Sequence, residues 1–158
     1  MDCTEIPHQT WNSAAPEISA DVPLMVGTVL NEFLTRVGRP DAFSLTENGL
    51  AKQLNDQYGA NALELYDKFG KNHPTANPFH LWSIVSACFF RSTAVKQAKL
   101  KAAQGKASAY NFWMQWQSPI LSSRAMAFHC FDLCFFFNNS ERCASMTGNG
   151  AVARRLAQ

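Results

Sequence analysis

Hydrophobic and polar positions change their period several times along this chain, and each change marks an element. From Met1 to Val22 polar residues and prolines (Pro7, Pro16) follow no period, which predicts loop. Pro23 then opens the apolar run Leu24-Met-Val-Gly-Thr28, bounded on its far side by Asn31 and Glu32. A continuous apolar run of that length predicts a strand buried on both faces, the kind found in parallel sheets with helices on either side. Ser44-Leu-Thr-Glu47 has the form of a capping box, with Ser44 satisfying free N–H groups and Glu47 reaching back. Behind it Leu50, Leu54 and Tyr58 recur every four residues until Gly59 supplies a stop. A second short helix is predicted from Asn61 to Phe69, ended by Gly70. Asn77-Pro78 is a good helix start, because proline lacks only an N–H that would be unpaired there anyway. Leu81, Val85, Cys88 and Phe89 carry one apolar face onward to Val95, Ala98 and Ala102, with a possible break at Ser92-Thr93 and an end at Gly105.

The second predicted strand is Tyr110-Asn-Phe-Trp-Met-Gln-Trp116. Its Tyr110, Phe112, Met114 and Trp116 share one side by period two, and Pro119 closes it. An apolar loop, Ala127-Phe-His-Cys-Phe-Asp-Leu-Cys-Phe-Phe-Phe137, comes next, and Ala151 to Gln158 begins a helix that stops mid-turn. The order is strand, helices, strand, loop, unfinished helix, which defines the class as α/β. Two parallel strands with a long helical crossover cannot make a sheet buried on both faces. The architecture therefore calls for more strands than these.

Composition sharpens that picture. A chain of 158 residues suits one domain, and 47% hydrophobic residues suit a folded one. Its charged fraction of 16% lies below the roughly 25% of an ordinary soluble domain. Two readings stand side by side: faces covered by other protein, or a surface rich in uncharged polar residues. A net charge of +2 leaves no electrostatic footprint for nucleic acid, and the Lys96, Lys99, Lys101 stretch is most simply a solvated helix face. No apolar run approaches the ~18 residues of a membrane helix, and no secretory signal opens the chain. Five cysteines (Cys3, Cys88, Cys130, Cys134, Cys143) form an odd set, which points to reduced thiols and a cytoplasmic setting. The spacing of Cys130, Cys134, Cys143 and His129 lacks a C-x2-C knuckle, so no metal and no cofactor is expected.

Two residues carry the chemistry. Glu32 lies just past the carboxyl end of the first strand, where open α/β sheets gather their sites, and His129 lies beyond the second. An acid followed much later by a histidine is the second half of a Ser…Asp/Glu…His relay in the chain order of α/β-hydrolases. In such a relay the histidine moves the proton, while the carboxylate fixes its tautomer and stabilises the imidazolium. No serine here stands in a G-x-S-x-G turn, so the nucleophile is absent. Pattern alone leaves His129 open between relay base and structural histidine, and Glu32 between relay acid and helix N-terminal carboxylate. Asp132, three residues after His129, is a competing acid. Tyr110, Phe112, Trp113 and Trp116 suit either an acyl pocket or sheet core.

Three segments together resemble the type-B carboxylesterases, the carboxylesterase/cholinesterase family. Pro23-Leu-Met-Val-Gly-Thr-Val-Leu-Asn-Glu-Phe33 is similar to that family's acid-bearing segment, and Lys101-Ala-Ala-Gln-Gly105 to the stretch before its penultimate strand. Ala127 to Asn139, with Arg142-Cys-Ala-Ser-Met-Thr-Gly148 behind it, is similar to the histidine loop of the bacterial members. The resemblance covers nearly all of Pro7 to Gln158 in the right order. It implies a partial α/β-hydrolase fold, the last parallel strands of the sheet with flanking helices, incomplete at both ends. Residues 1–158 would be the C-terminal part of one such domain.

The resemblance also implies that Glu32 is the relay acid, His129 the general base, and a small-molecule carboxylic ester the substrate of the complete enzyme. It implies for Asp132 a supporting role in the loop. Cys134 stands where such loops usually have proline, and the nucleophile turn and Gly-rich oxyanion loop belong to sequence upstream. Taken alone, the chain is expected to be inactive, because covalent catalysis and oxyanion stabilisation are both missing. Two other expectations remain: a split esterase completed by a separate N-terminal chain, and a non-catalytic interaction module. Phe135 to Phe137 are expected in the core of a full domain and as a sticky surface without it.

Overall fold

Residues 10–32 and 40–158 are described in a computed structural model of the chain. Cys3 with the rest of the first nine positions, and Phe33 of the acid-bearing segment, lie outside the described residues. The architecture is mixed α/β, with a two-stranded parallel sheet flanked by helices. Strand β1 is Leu24–Val29 and strand β2 is Ala109–Met114. Their parallel sense shows in two bonds at constant offset: Leu24 N–H donates to Ser108 C=O at 3.0 Å and Leu30 N–H to Met114 C=O at 2.9 Å. Among the described residues, three long helices precede β2: α1 (Glu47–Tyr58), α2 (Ala62–Asn72) and α3 (Pro78–Ala102). Three short ones follow it: α4 (Leu133–Phe136), α5 (Ala144–Thr147) and α6 (Ala151–Leu156). Among the described residues, no helix is long and apolar enough to cross a membrane. Contacts divide the chain into two compact units, Met1–Thr28 with Phe89–Trp113, and Val29–Cys88 with Met114–Gln158.

In the first unit the strand predicted to be buried on both faces is buried only at its end. Met25 is 64% exposed, whereas Thr28 is 5% exposed. The apolar run made the strand, but too little chain covers its first half. Gly27 is where the ring of Phe112 lies directly on the backbone, leaving no room for a Cβ. Strand β2 ends at Met114, two residues short of the predicted Trp116. Arg91 donates to the Phe112 carbonyl at 2.8 Å and sets its guanidinium 5.2 Å over the Trp113 ring. The possible break at Ser92-Thr93 is absent. Both hydroxyls donate back to the Phe89 carbonyl at 2.9 Å, so the helix absorbs them without interruption.

Lys101 corrects the reading of a solvated basic face. Lys96 and Lys99 are exposed, but Lys101 is only 1% exposed. Its ammonium donates to the carbonyls of Ser19 (2.6 Å) and Ala20 (2.8 Å) and to Gln104 Oε1 (3.0 Å). Gln104 in turn donates to the carbonyls of Ala15 and Pro16 at 3.2 and 3.1 Å. These bonds organise the predicted loop, which contains a short 3₁₀ turn at Glu17–Ser19.

In the second unit α1 and α2 pack as a helical hairpin around Leu50 and Leu54, with Ala62, Leu81 and Val85. Both leucines are essentially inaccessible, and each contributes about 1.5–3 kcal/mol of burial. The cap of α1 is Thr46, not Ser44: its hydroxyl accepts from Gly49 N–H at 3.2 Å. Glu47 is then the first helical residue, and it accepts from Tyr66 Oη at 2.7 Å instead of closing a capping box. Gly59 stops α1 as predicted, with φ +54°. Gly70 does not stop α2. The helix runs on to Asn72, because His73 takes the cap and closes onto the carbonyls of Phe69 and Gly70. Asn77 caps α3 by accepting from His80 N–H at 2.8 Å. A second core gathers Val29, Phe79, Phe128, Phe131, Phe135 and Ala153. Of the three expected phenylalanines, only Phe135 joins it, while Phe136 and Phe137 are 54% and 73% exposed.

Candidate functional site: an acid and a histidine held at the strand ends

The site is built within the second unit from the segment that leaves β1. After Val29 the chain takes two more steps with its backbone still paired. Leu30 bonds to Met114, and Asn31 N–H donates to the Ala127 carbonyl at 2.9 Å. Asn31 and Phe128 form an isolated parallel bridge, so the pairing of this segment passes from Met114 to the histidine loop. The chain then turns at Glu32. One carboxylate oxygen, Oε1, accepts from the N–H of Val29 at 2.9 Å, three residues back. The other is left free to face across the loop.

The histidine arrives from a loop pinned at both sides. Ser118 N–H donates to the Met126 carbonyl at 3.1 Å, and the Ser118 hydroxyl donates to the Met146 carbonyl. Ala125 to Phe128 are buried, and the rings of Phe128, Phe131, Phe135 and Trp116 interlock beneath the turn. Met126 and Cys130 both occupy the left-handed region, at φ +53° and +68°. A side chain there costs about 1–2 kcal/mol per residue. Two such residues bracket His129, so the loop is held in place against its own backbone preference.

These two constructions meet. Glu32 Oε2 lies 2.6 Å from His129 Nδ1. A carboxylate can only accept, so the partnered nitrogen carries the proton, and in the neutral ring Nε2 keeps its lone pair. The Glu32 side chain is 11% exposed and that of His129 is 49% exposed. Among the described residues Nε2 has no hydrogen-bond partner. The acid is thus sheltered, and the ring it orients presents its basic nitrogen to the outside. Chemically, this arrangement can take a proton from a hydroxyl brought to Nε2 and return it, with the charge compensated by Glu32.

Asp132, the competing acid, makes no bond to His129. Burial, followed by the nearby charge of Glu32, raises its pKa. Cys130, exposed beside the ring, has its thiol raised by burial and then by Asp132 and Glu32. That disfavours a thiolate nucleophile. Cys134 is buried in α4 against Met146 Sδ, and its pKa is pushed up to about 12 by burial and then by Cys143. Among the described residues, no group of three or more His, Cys, Asp or Glu is placed to hold a metal ion.

Of the expected aromatic residues, Trp116 stacks on Phe131 at 6.0 Å in the core beneath the loop. Tyr110 and Trp113 belong to the first unit, where they are 56% and 44% exposed. Sequence reading missed Asn31. It is fully buried: its Oδ1 accepts from Ala127 N–H at 3.1 Å and its Nδ2 donates to Ser83 Oγ at 2.8 Å. The only sequence signal was a polar residue at the end of an apolar run, which reads equally as a strand terminus. No family model matches the chain, and no curated protein matches it significantly.

Proposed function

We propose that this chain is the acid- and histidine-bearing part of a serine carboxylesterase, of the type-B family that it resembles, its strands being the last of an α/β-hydrolase sheet. The observation that carries the reading is the 2.6 Å bond between Glu32 Oε2 and His129 Nδ1, two residues 97 positions apart. It has the polarity a relay requires, with the acid on Nδ1 and Nε2 free.

In the complete enzyme a serine supplied by sequence outside residues 1–158 stands at Nε2. His129 takes the hydroxyl proton as serine oxygen attacks the ester carbonyl. The tetrahedral intermediate then collapses, and His129 passes that proton to the departing alcohol. Water attacks the resulting acyl-serine with the same help, releasing the carboxylic acid. Glu32 keeps the tautomer and stabilises each imidazolium. Without the nucleophilic serine and the oxyanion donors, the isolated chain is inactive.

A second reading, a split enzyme whose serine comes from a separately made chain, is favoured by Met25 at 64% exposure and Tyr110 at 56% on a sheet of two strands. The test is the DNA upstream of the Met1 codon, read in all three forward frames and expressed as the joined product. A frame encoding a Gly-rich loop and then G-x-S-x-G is expected. The product should hydrolyse p-nitrophenyl butyrate and lose on the order of 10⁶ in kcat with His129→Ala. A joined product indifferent to His129→Ala overturns the reading. So does phosphonate-sensitive hydrolysis by the 158-residue chain alone. Finding no such frame transfers the test to co-expression with candidate serine-bearing chains.

A further inference from the structure

We propose that Asn31 is a positioning residue whose side chain, by gripping the Ala127 backbone, sets the bond between Glu32 and His129. This rests on reading that pair as a relay, but the geometry stands without it. Asn31 makes two bonds to one residue: its N–H donates to the Ala127 carbonyl at 2.9 Å, and its Oδ1 accepts from the Ala127 N–H at 3.1 Å. A main-chain bond alone allows the loop to pivot about it. Two bonds on either side of one residue remove that pivot. Glu32 follows Asn31 immediately and His129 lies two residues beyond Ala127, so the grip sits at the base of both arms.

The grip is itself anchored. Asn31 Nδ2 donates to Ser83 Oγ at 2.8 Å, and Ser83 Oγ donates to the His80 carbonyl at 2.7 Å within α3. Asn31, Ser83 and Ala127 are all fully buried, so water cannot replace these bonds. The amide is the right chemistry for the place. It needs an acceptor for Ala127 and a donor for Ser83 on one short side chain, and the Asn amide offers them on two separate atoms without a charge. The strain at Met126 and Cys130 gives the grip something to hold, since a released loop can relax both residues.

The experiment uses the full 158-residue chain with ¹⁵N-labelled histidine. Wild type should show a hydrogen-bonded Nδ1–H resonance that vanishes in Glu32→Ala, which assigns it to His129. Asn31→Ala should lose that resonance and speed exchange of the Ala127 amide by about tenfold, the upper end for one buried bond. Ser83→Ala, which leaves the grip on Ala127 intact, should lower stability while keeping the resonance. A purely structural role predicts the resonance in both variants, and that result overturns the proposal. Where Asn31→Ala fails to fold by near-UV circular dichroism, Asn31→Leu fills the volume without the grip and is expected to lose the resonance. Independently of any variant, wild-type Ala127 must be among the slowest-exchanging amides of the loop, and rapid exchange there overturns the proposal. A chain shown to have no esterase role leaves these outcomes unchanged, so the two readings fail separately.

Discussion

Replacing Lys101 by methionine tests whether a buried cation with no carboxylate partner among the described residues organises the first unit. Methionine retains most of the apolar stem, so the change isolates the ammonium. Three bonds disappear, to Ser19 O at 2.6 Å, Ala20 O at 2.8 Å and Gln104 Oε1 at 3.0 Å. Hydrogen bonds to a charged group contribute roughly 1.5–3 kcal/mol each. Their simple sum overstates the loss. The Ser19 carbonyl still accepts from Val22 N–H and that of Ala20 from Ala107 N–H, both at 3.1 Å, and the variant no longer desolvates a charge. A net loss of about 2–4 kcal/mol remains. Urea unfolding followed by tryptophan fluorescence reads the total. Amide exchange at Val22, Leu24 and Ala107 reads the local effect, and the lower figure corresponds to an acceleration of about thirtyfold. A variant within about 0.5 kcal/mol of wild type, with those amides unchanged, refutes the reasoning. The ammonium would then contribute nothing beyond its methylenes.

Gly27→Ala drives a Cβ into the Phe112 ring and should cost about 1–3 kcal/mol, with Phe112→Leu relieving most of it in a double-mutant cycle read by thermal melting. Asp132 has its pKa raised, chiefly by burial, so the folded state holds its proton more tightly than the unfolded one. The stability it contributes is full below the unfolded value of about 3.9 and is lost as pH rises through the raised folded value. Asp132→Asn should therefore stabilise the fold at pH 7, with the gain vanishing near pH 3, as urea midpoints across pH will show. His80 runs the other way. Burial, with His73 second, lowers its pKa, so stability present above about 6.5 is lost as pH falls, and His80→Phe should flatten that limb. Iodoacetamide at pH 8, followed by peptide mass spectrometry, should modify exposed Cys130 well before buried Cys134. Asp132→Asn should speed Cys130 further by removing a charge that raises its thiol.

Elements were legible where one local signal decided them. The apolar run placed β1, Asn77-Pro78 placed the start of α3, and Gly59 placed the end of α1 because that position takes φ +54°. Local signals misled where two alternatives lay within a turn of each other. Ser44 and Thr46 are both capping residues, and what followed decided between them: Thr46 finds Gly49 N–H, and Glu47 finds the Tyr66 hydroxyl. Gly70 carries no positive φ and meets nothing nearby, so its lack of a side chain never had to stop α2. Lys101 was misread for a different reason. Its acceptors are backbone carbonyls some eighty residues earlier, and carbonyls leave no trace in the identity of the residues that bear them.

The same asymmetry explains the site. Glu32 and His129 could be picked out because a carboxylate and a histidine at strand ends are visible in the sequence by type and place, and the structure brings the two together. Asn31 was not, because its work is done on the backbone of Ala127, a residue that could be almost anything small. Yet the pair depends on such contacts more than on its own attraction. A hydrogen bond to a carboxylate contributes roughly 1.5–3 kcal/mol, which the roughly 2–4 kcal/mol of strain in the two left-handed residues beside His129 offsets. The 2.6 Å bond therefore cannot hold the loop by itself. It reports a geometry imposed from beneath, by Asn31 on Ala127, Ser118 on Met126 and Met146, and the ring stack of Phe128, Phe131 and Trp116.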